Sequence, residues 1–248
     1  MNLPIVDLFN PPFEKWEKRD KTIAEMLSSH NIAERFKMVN IRRLASIGNA
    51  IDAAIYIGKC GYDNEFTNFI NLAIDNNKSY REWRKSMPSA TPANLSRYQK
   101  FFLNCDFDSV SITIDEIGSK LSEGQFLFHG GHWPYDSNGV LLDAFSTSRP
   151  LSTSLCPLVA LNNANHLGKA YDKGYIDLFV LKVINPKTKT FVYRRSGTSL
   201  GHENEVVFSS NANIYLKNII CITNDHPVGK EILKQKNIPI FLFDAEIS

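Results

Sequence analysis

The chain has 248 residues, with 28 Lys+Arg against 26 Asp+Glu and a net charge of +2. A composition that is 43% hydrophobic and 22% charged fits one large globular domain or two small ones. The near-neutral balance gives no reason to propose nucleic acid or a membrane surface as the main partner.

The N-terminus, Met1-Asn2-Leu3-Pro4-Ile5-Val6-Asp7, has no basic region followed by a long apolar core. No apolar run reaches membrane-spanning length. The expectation is a soluble protein made in a cytosol without a classical signal peptide. Cys60, Cys105, Cys156 and Cys221 are widely spaced, which predicts reduced thiols rather than a disulfide framework.

Up to about residue 122 the apolar spacing is helical. Helices are predicted over 14–28, 32–57, 64–76, 79–87, 92–104 and 113–121. Pro88 stops the fourth of these, and Pro92 opens the fifth. Beyond residue 123 the pattern turns β-rich, with strands predicted over 125–129, 140–145, 175–184, 190–193, 205–209, 214–223 and 238–243. Helices are predicted over 157–167 and 227–236. The expected fold class is α+β. A helical N-terminal subdomain (residues 1–122) packs on a mixed β-sandwich core (residues 123–248).

Three segments could carry chemistry. In Phe126-Leu127-Phe128-His129-Gly130-Gly131-His132 a strand ends in a histidine and two glycines, which would let a ligand approach the backbone. A bland alternative is a turn with a surface histidine. A zinc site on His129 and His132 is disfavoured because nothing nearby completes a ligand set.

In Leu151-Ser152-Thr153-Ser154-Leu155-Cys156-Pro157-Leu158-Val159-Ala160 a short hydroxyl-rich strand feeds a helix, with Ser154 as its expected N-cap. In Gly201-His202-Glu203-Asn204-Glu205-Val206-Val207-Phe208 two carboxylates sit at i and i+2 before an apolar run. A strand beginning at Asn204 would project both to one side. Like charges aimed into one space do not help folding, whereas one can steady a cation while the other takes a proton. The polar stretch from Tyr193 to Leu200 before them has the composition of a recognition loop.

Taken in order, these segments resemble the mono-ADP-ribosyltransferase family. The resemblance covers roughly the C-terminal half. It rests on a strand carrying Arg or His, then Ser-Thr-Ser with Leu-x-Pro-x-Val-Ala text, then Glu-x-Glu. The helical front also resembles the subdomain beside the catalytic core in bacterial toxins of this kind. One departure stands out: members with Ser-Thr-Ser and Glu-x-Glu usually carry arginine on the first strand, where this chain has His129. Histidine there is typical of the diphtheria-toxin and poly-ADP-ribose polymerase branch, which lacks Ser-Thr-Ser.

The resemblance implies transfer of ADP-ribose from NAD to a target protein, with arginine the favoured acceptor. It implies Glu205 as the group facing the ribose cation, Ser152 as its holder, and Glu203 as the base toward the acceptor. NAD would meet His129, Gly130, Ser152, Thr153 and Ser154, with no metal. Arg149, Arg194 or Arg195 could supply the cation that His129 does not. The implied partners are NAD, a host protein target and a host activator, in an effector or toxin delivered into a host cell. Two other readings stay open: an inactive relative that binds a protein, and a metal-dependent hydrolase using His129, His132 and the acidic pair.

Overall fold

The computed structural model describes residues 2–230 and 233–248. Its centre is set by strands that are apolar on both faces and can be stable only when covered. β6 (Ile176–Val183) is buried at every position but Lys182, and β3 (Phe126–Gly131) runs antiparallel to it. β10 (Lys236–Ile247) lies parallel to β6 on the other side and pairs antiparallel with the long β9 (Asn213–Val228). Short β4 (Ala144–Ser146) closes that edge. Beyond β3 come β5 (Leu151–Ser154), β8 (Glu205–Phe208) and β7 (Thr190–Val192), all antiparallel.

The result is one eight-stranded mixed sheet, in the order β4-β9-β10-β6-β3-β5-β8-β7. The expected sandwich is thus a continuous sheet. Its two halves meet at a narrow seam, because β3 and β5 pair only at Phe128 and Ser154.

The N-terminal region is less helical than its spacing predicts. β1 (Phe13–Arg19) pairs antiparallel with β2 (Val39–Ile47), and only the short α1 (Ile23–Ser28) and α2 (Ile32–Arg35) lie between them. The predicted helices over 14–28 and 32–57 are corrected accordingly. Two register shifts, after Lys15 and after Glu17, break the two-residue alternation. Cross-strand ion pairs of Glu14 with Arg43 (2.9 Å) and Glu17 with Arg42 (3.2 Å) then bring together charges distant in sequence.

The remaining front helices are capped by their own sequence. Asn49 caps α3 (Ala50–Cys60), Asp63 caps α4 (Asn64–Asn76), and Asn77 caps α5 (Lys78–Lys85). α6 (Ala93–Lys100) follows Pro92, and a 3₁₀ turn covers Phe102–Asn104. α7 (Phe107–Ile117) starts earlier than the predicted 113–121 because Asp106 caps it, accepting from the Ser109 amide at 3.2 Å.

Two further boundaries move. α8 (Pro157–Asn165) stops short of Leu167, whose φ of 55° cannot continue a helix, and a separate α9 (Lys169–Lys173) follows. The helix predicted over 227–236 is replaced at both ends by strand, since Pro227 and Val228 lie in β9 opposite Asn237 and Lys236. Glu231 and Ile232, also inside that prediction, lie outside the described residues.

The core crosses residue 123 without a break. The Gln125 side chain brackets Val6, accepting from its amide at 2.7 Å and donating to its carbonyl at 3.2 Å. Trp83 Nε1 donates to the Pro4 carbonyl at 2.6 Å. Among the described residues no helix is long and apolar enough to cross a membrane.

Candidate active site

The seam positions the candidate residues. On one side β5 and β8 are in register, with Ser152 opposite Val207 and Ser154 opposite Glu205. Thr153 and Val206 are buried, and Thr153 Oγ1 donates to the Val206 carbonyl at 2.6 Å. Thr153 therefore fastens β5 to β8. With the two strands locked, Ser152 Oγ donates to Glu205 Oε1 at 2.5 Å.

Glu205 is only 7% exposed, and its second oxygen, Oε2, accepts from Gln99 Nε2 at 3.0 Å. Burial disfavours the charged form and pushes its carboxyl up to about 7, against the bonds from Ser152 and Gln99 and with help from the nearby Glu203 charge. Tyr98 of α6 and Tyr193 after β7 feel its charge. Both are buried, and their phenols are pushed well up by that burial. Gln99 has no signal in the sequence: one glutamine on a helix surface is unremarkable until the fold brings it to a carboxylate.

Glu203 reaches the site differently from expected. It ends a 3₁₀ turn (Gly201–Glu203), and Asn204 takes a left-handed conformation with φ 50°. The strand begins only at Glu205. The two carboxylates are thus related by a turn, not by strand alternation. Glu203 is half-buried, and that burial raises its pKa.

Ser154 Oγ donates to the Glu203 carbonyl at 2.6 Å and accepts from the Cys156 amide at 3.0 Å. It ties the turn to β5. The expected N-cap role is corrected, since Cys156 is the N-cap of α8 and caps without its side chain. Gly201 makes the turn possible, because a Cβ there would stand 1.7 Å from the Arg195 carbonyl oxygen.

Across the seam stands His129. Its Nδ1 lies 2.6 Å from the Ser152 carbonyl oxygen, which can only accept, so Nδ1 carries the proton and Nε2 is left with a lone pair. Burial lowers the imidazole to about 4, so it is neutral at pH 7. Its ring meets Phe179 edge-on at 5.2 Å. Gly130 has a packing reason of its own: a Cβ there would lie 1.8 Å from the Ala160 carbonyl oxygen of α8.

Arg149, Arg194 and Arg195 are each engaged differently. The Arg149 guanidinium stacks over Phe102 (5.1 Å) and Phe107 (5.9 Å). Arg195 donates to Asp75 and Asn71. The Nε of Arg194 is buried with no hydrogen-bond partner among the described residues. Among the described residues no group of three or more His, Cys, Asp or Glu is arranged to hold a metal ion. His132 instead meets Tyr175 edge-on at 5.6 Å.

Chemically, the site offers a buried carboxylate poised between its two protonation states, two neutral donors that fix it, and a second acid nearby. Such a group stabilises an adjacent developing cation when ionised.

No protein-family model matches the chain, and no curated protein matches it. Solved structures with a partial likeness include bacterial ADP-ribosyltransferases. C3larvin toxin, an ADP-ribosyltransferase from Paenibacillus larvae, is 16% identical, with 69% of this chain and 94% of that one covered and a TM-score of 0.40. The ADP-ribosyltransferase Vis from Vibrio splendidus, in complex with agmatine, is 18% identical over 79% of this chain and 89% of that one, with a TM-score of 0.47. The ADP-ribosylating toxin BECa of C. perfringens, with NADH, is 13% identical over 81% of this chain and 49% of that one, with a TM-score of 0.39.

Proposed function

We propose that the chain is an NAD-dependent protein mono-ADP-ribosyltransferase that uses Glu205 to stabilise positive charge on the ribose of NAD. The observation that carries this reading is the Glu205 carboxylate, buried and held by Ser152 Oγ at 2.5 Å. The order of the three motifs in the sequence supports it.

In this reading the bond between nicotinamide and ribose breaks, and nicotinamide leaves with the electron pair. The cationic ribose resembles the species formed in glycoside cleavage. Ionised Glu205 faces it, and the incoming nucleophile forms the new bond to the ribose carbon while its proton passes to Glu203. Arginine is the favoured acceptor, on the strength of Glu at position 203.

The other residues divide into two roles. Thr153 and Ser154 hold β5, β8 and the Glu203 turn together through bonds of 2.6 Å each. His129 offers a bare Nε2 to a hydroxyl of the adenosine-side ribose, and Gly130 offers its backbone to the nicotinamide carboxamide. Neutral His129 brings no charge to the pyrophosphate. In the cell the protein acts as an effector or toxin on a host target, with a host activator as a further partner.

A second reading is an inactive relative that serves as a protein-binding module. The observation that favours it is His129, neutral and spent on the Ser152 carbonyl where this branch usually holds an arginine. Incubation with labelled NAD and a host-cell lysate separates the two. The transferase labels a host protein, and Glu205→Ala cuts the labelling at least about 100-fold while remaining folded. A fully active Glu205→Ala overturns the assignment. Absence of NAD binding by calorimetry, together with absence of NAD hydrolysis, leaves the binding module.

A further inference from the structure

The two oxygens of Glu205 are held from opposite directions in the sequence. Oε1 takes its hydrogen bond from Ser152 on the neighbouring strand, and Oε2 takes one from Gln99, which is 106 residues away on α6. The helix that presents Gln99 is fixed on both sides of the carboxylate. Tyr98 Oη donates to the Pro150 carbonyl at 3.1 Å, just ahead of β5. Tyr193 Oη donates to the Leu95 carbonyl at 2.7 Å, just after β7. Both tyrosines are at most 3% exposed, so the amide of Gln99 reaches Glu205 from a clamped segment.

We propose that Gln99 is a positioning residue of the site, which fixes the second oxygen of Glu205 and sets the pH at which that carboxylate ionises. The inference deepens the transferase reading and rests on it for its catalytic meaning.

A buried carboxylate needs donors to stay charged, and Ser152 and Gln99 are the side-chain donors to this one among the described residues. The other charged or titratable groups around it cannot replace them. Glu203, ahead of β8, is itself acidic and opposes ionisation. Tyr98 and Tyr193 aim their hydroxyls at the Pro150 and Leu95 carbonyls. His129 on β3 aims its proton at the Ser152 carbonyl. The Arg149 cation, which precedes β5, is stacked over Phe102 and Phe107. Ser152 alone would leave Oε2 without a side-chain donor among the described residues.

Gln99→Met keeps the length of the side chain and removes the donor. Two measurements on the full chain test the proposal. The first is the carboxyl titration of Glu205, followed by carbon NMR on glutamate-labelled protein, with Glu205→Gln to assign the signal. The midpoint should rise by about one pH unit in Gln99→Met, the size expected for losing one hydrogen bond to a charged group. The second is kcat/KM for NAD hydrolysis against pH. Its acidic limb should move with the titration, giving a loss of about fivefold at pH 7 that closes above about pH 9.

A loss equal at every pH, with an unmoved midpoint, would mean a merely structural role and overturns the proposal. Gln99 is half-exposed. Should the Met variant fold poorly, Gln99→Ala answers the same question. If the wild-type protein hydrolyses no NAD while the NMR midpoint still moves, the transferase reading fails and the hold of Gln99 on Glu205 stands.

Discussion

At neutral and higher pH Glu205 stabilises the fold less than a neutral residue of its shape would. Its carboxyl has an ordinary value of 4.5 and is pushed up to about 7, so the folded state holds the proton more tightly than the unfolded chain does. The sign follows: this contribution to stability is complete below about pH 4.5, is lost between there and about 7, and leaves a buried charge above. Glu205→Gln should therefore be more stable than wild type at pH 8, by up to about 3 kcal/mol, and equal to it near pH 4. Urea unfolding at the two pH values checks this, and equal stability at pH 8 would contradict it. The Glu205–Ser152 pair is legible in the sequence because both residues sit in short motifs with a recognisable text. Gln99 is not legible, since its role depends on a contact across the whole chain.

Among the elements, the packing of α8 on β3 depends on Gly130. A methyl group there would meet the Ala160 carbonyl at 1.8 Å, and backbone rather than a flexible side chain must yield. Gly130→Ala should cost about 3 kcal/mol or more. Gly229→Ala, whose added methyl meets nothing within 4 Å among the described residues, should be near neutral. Thermal unfolding of the two variants compares them directly.

Legibility at this scale follows burial. The apolar strands β3, β6 and β8 and the capped helix α4 can be read from the sequence because one pattern governs each. β1 and β2 cannot. Their exposed positions mix charged and apolar residues without a clean two-residue alternation, and the pairing needs two register shifts. The end of β9 and the start of β10 hide behind Pro227, which looks like a helix start and lies instead within a strand.

Taken whole, the molecule has one core shared by both halves of the sequence, with Leu3, Val6 and Trp83 buried together with the sheet. Calorimetry should show a single unfolding transition for the full chain. Two resolved transitions would mean that the front half folds by itself.

The seam has a mechanical consequence. With one residue pair between β3 and β5, the sheet is two plates riveted at a point. Glu205 and Ser152 ride on one plate, and His129 and Gly130 on the other. The bond from His129 to the Ser152 carbonyl is then a second rivet, which stops the plates from pivoting. Removing the imidazole would change the width of the jaw as well as its lining.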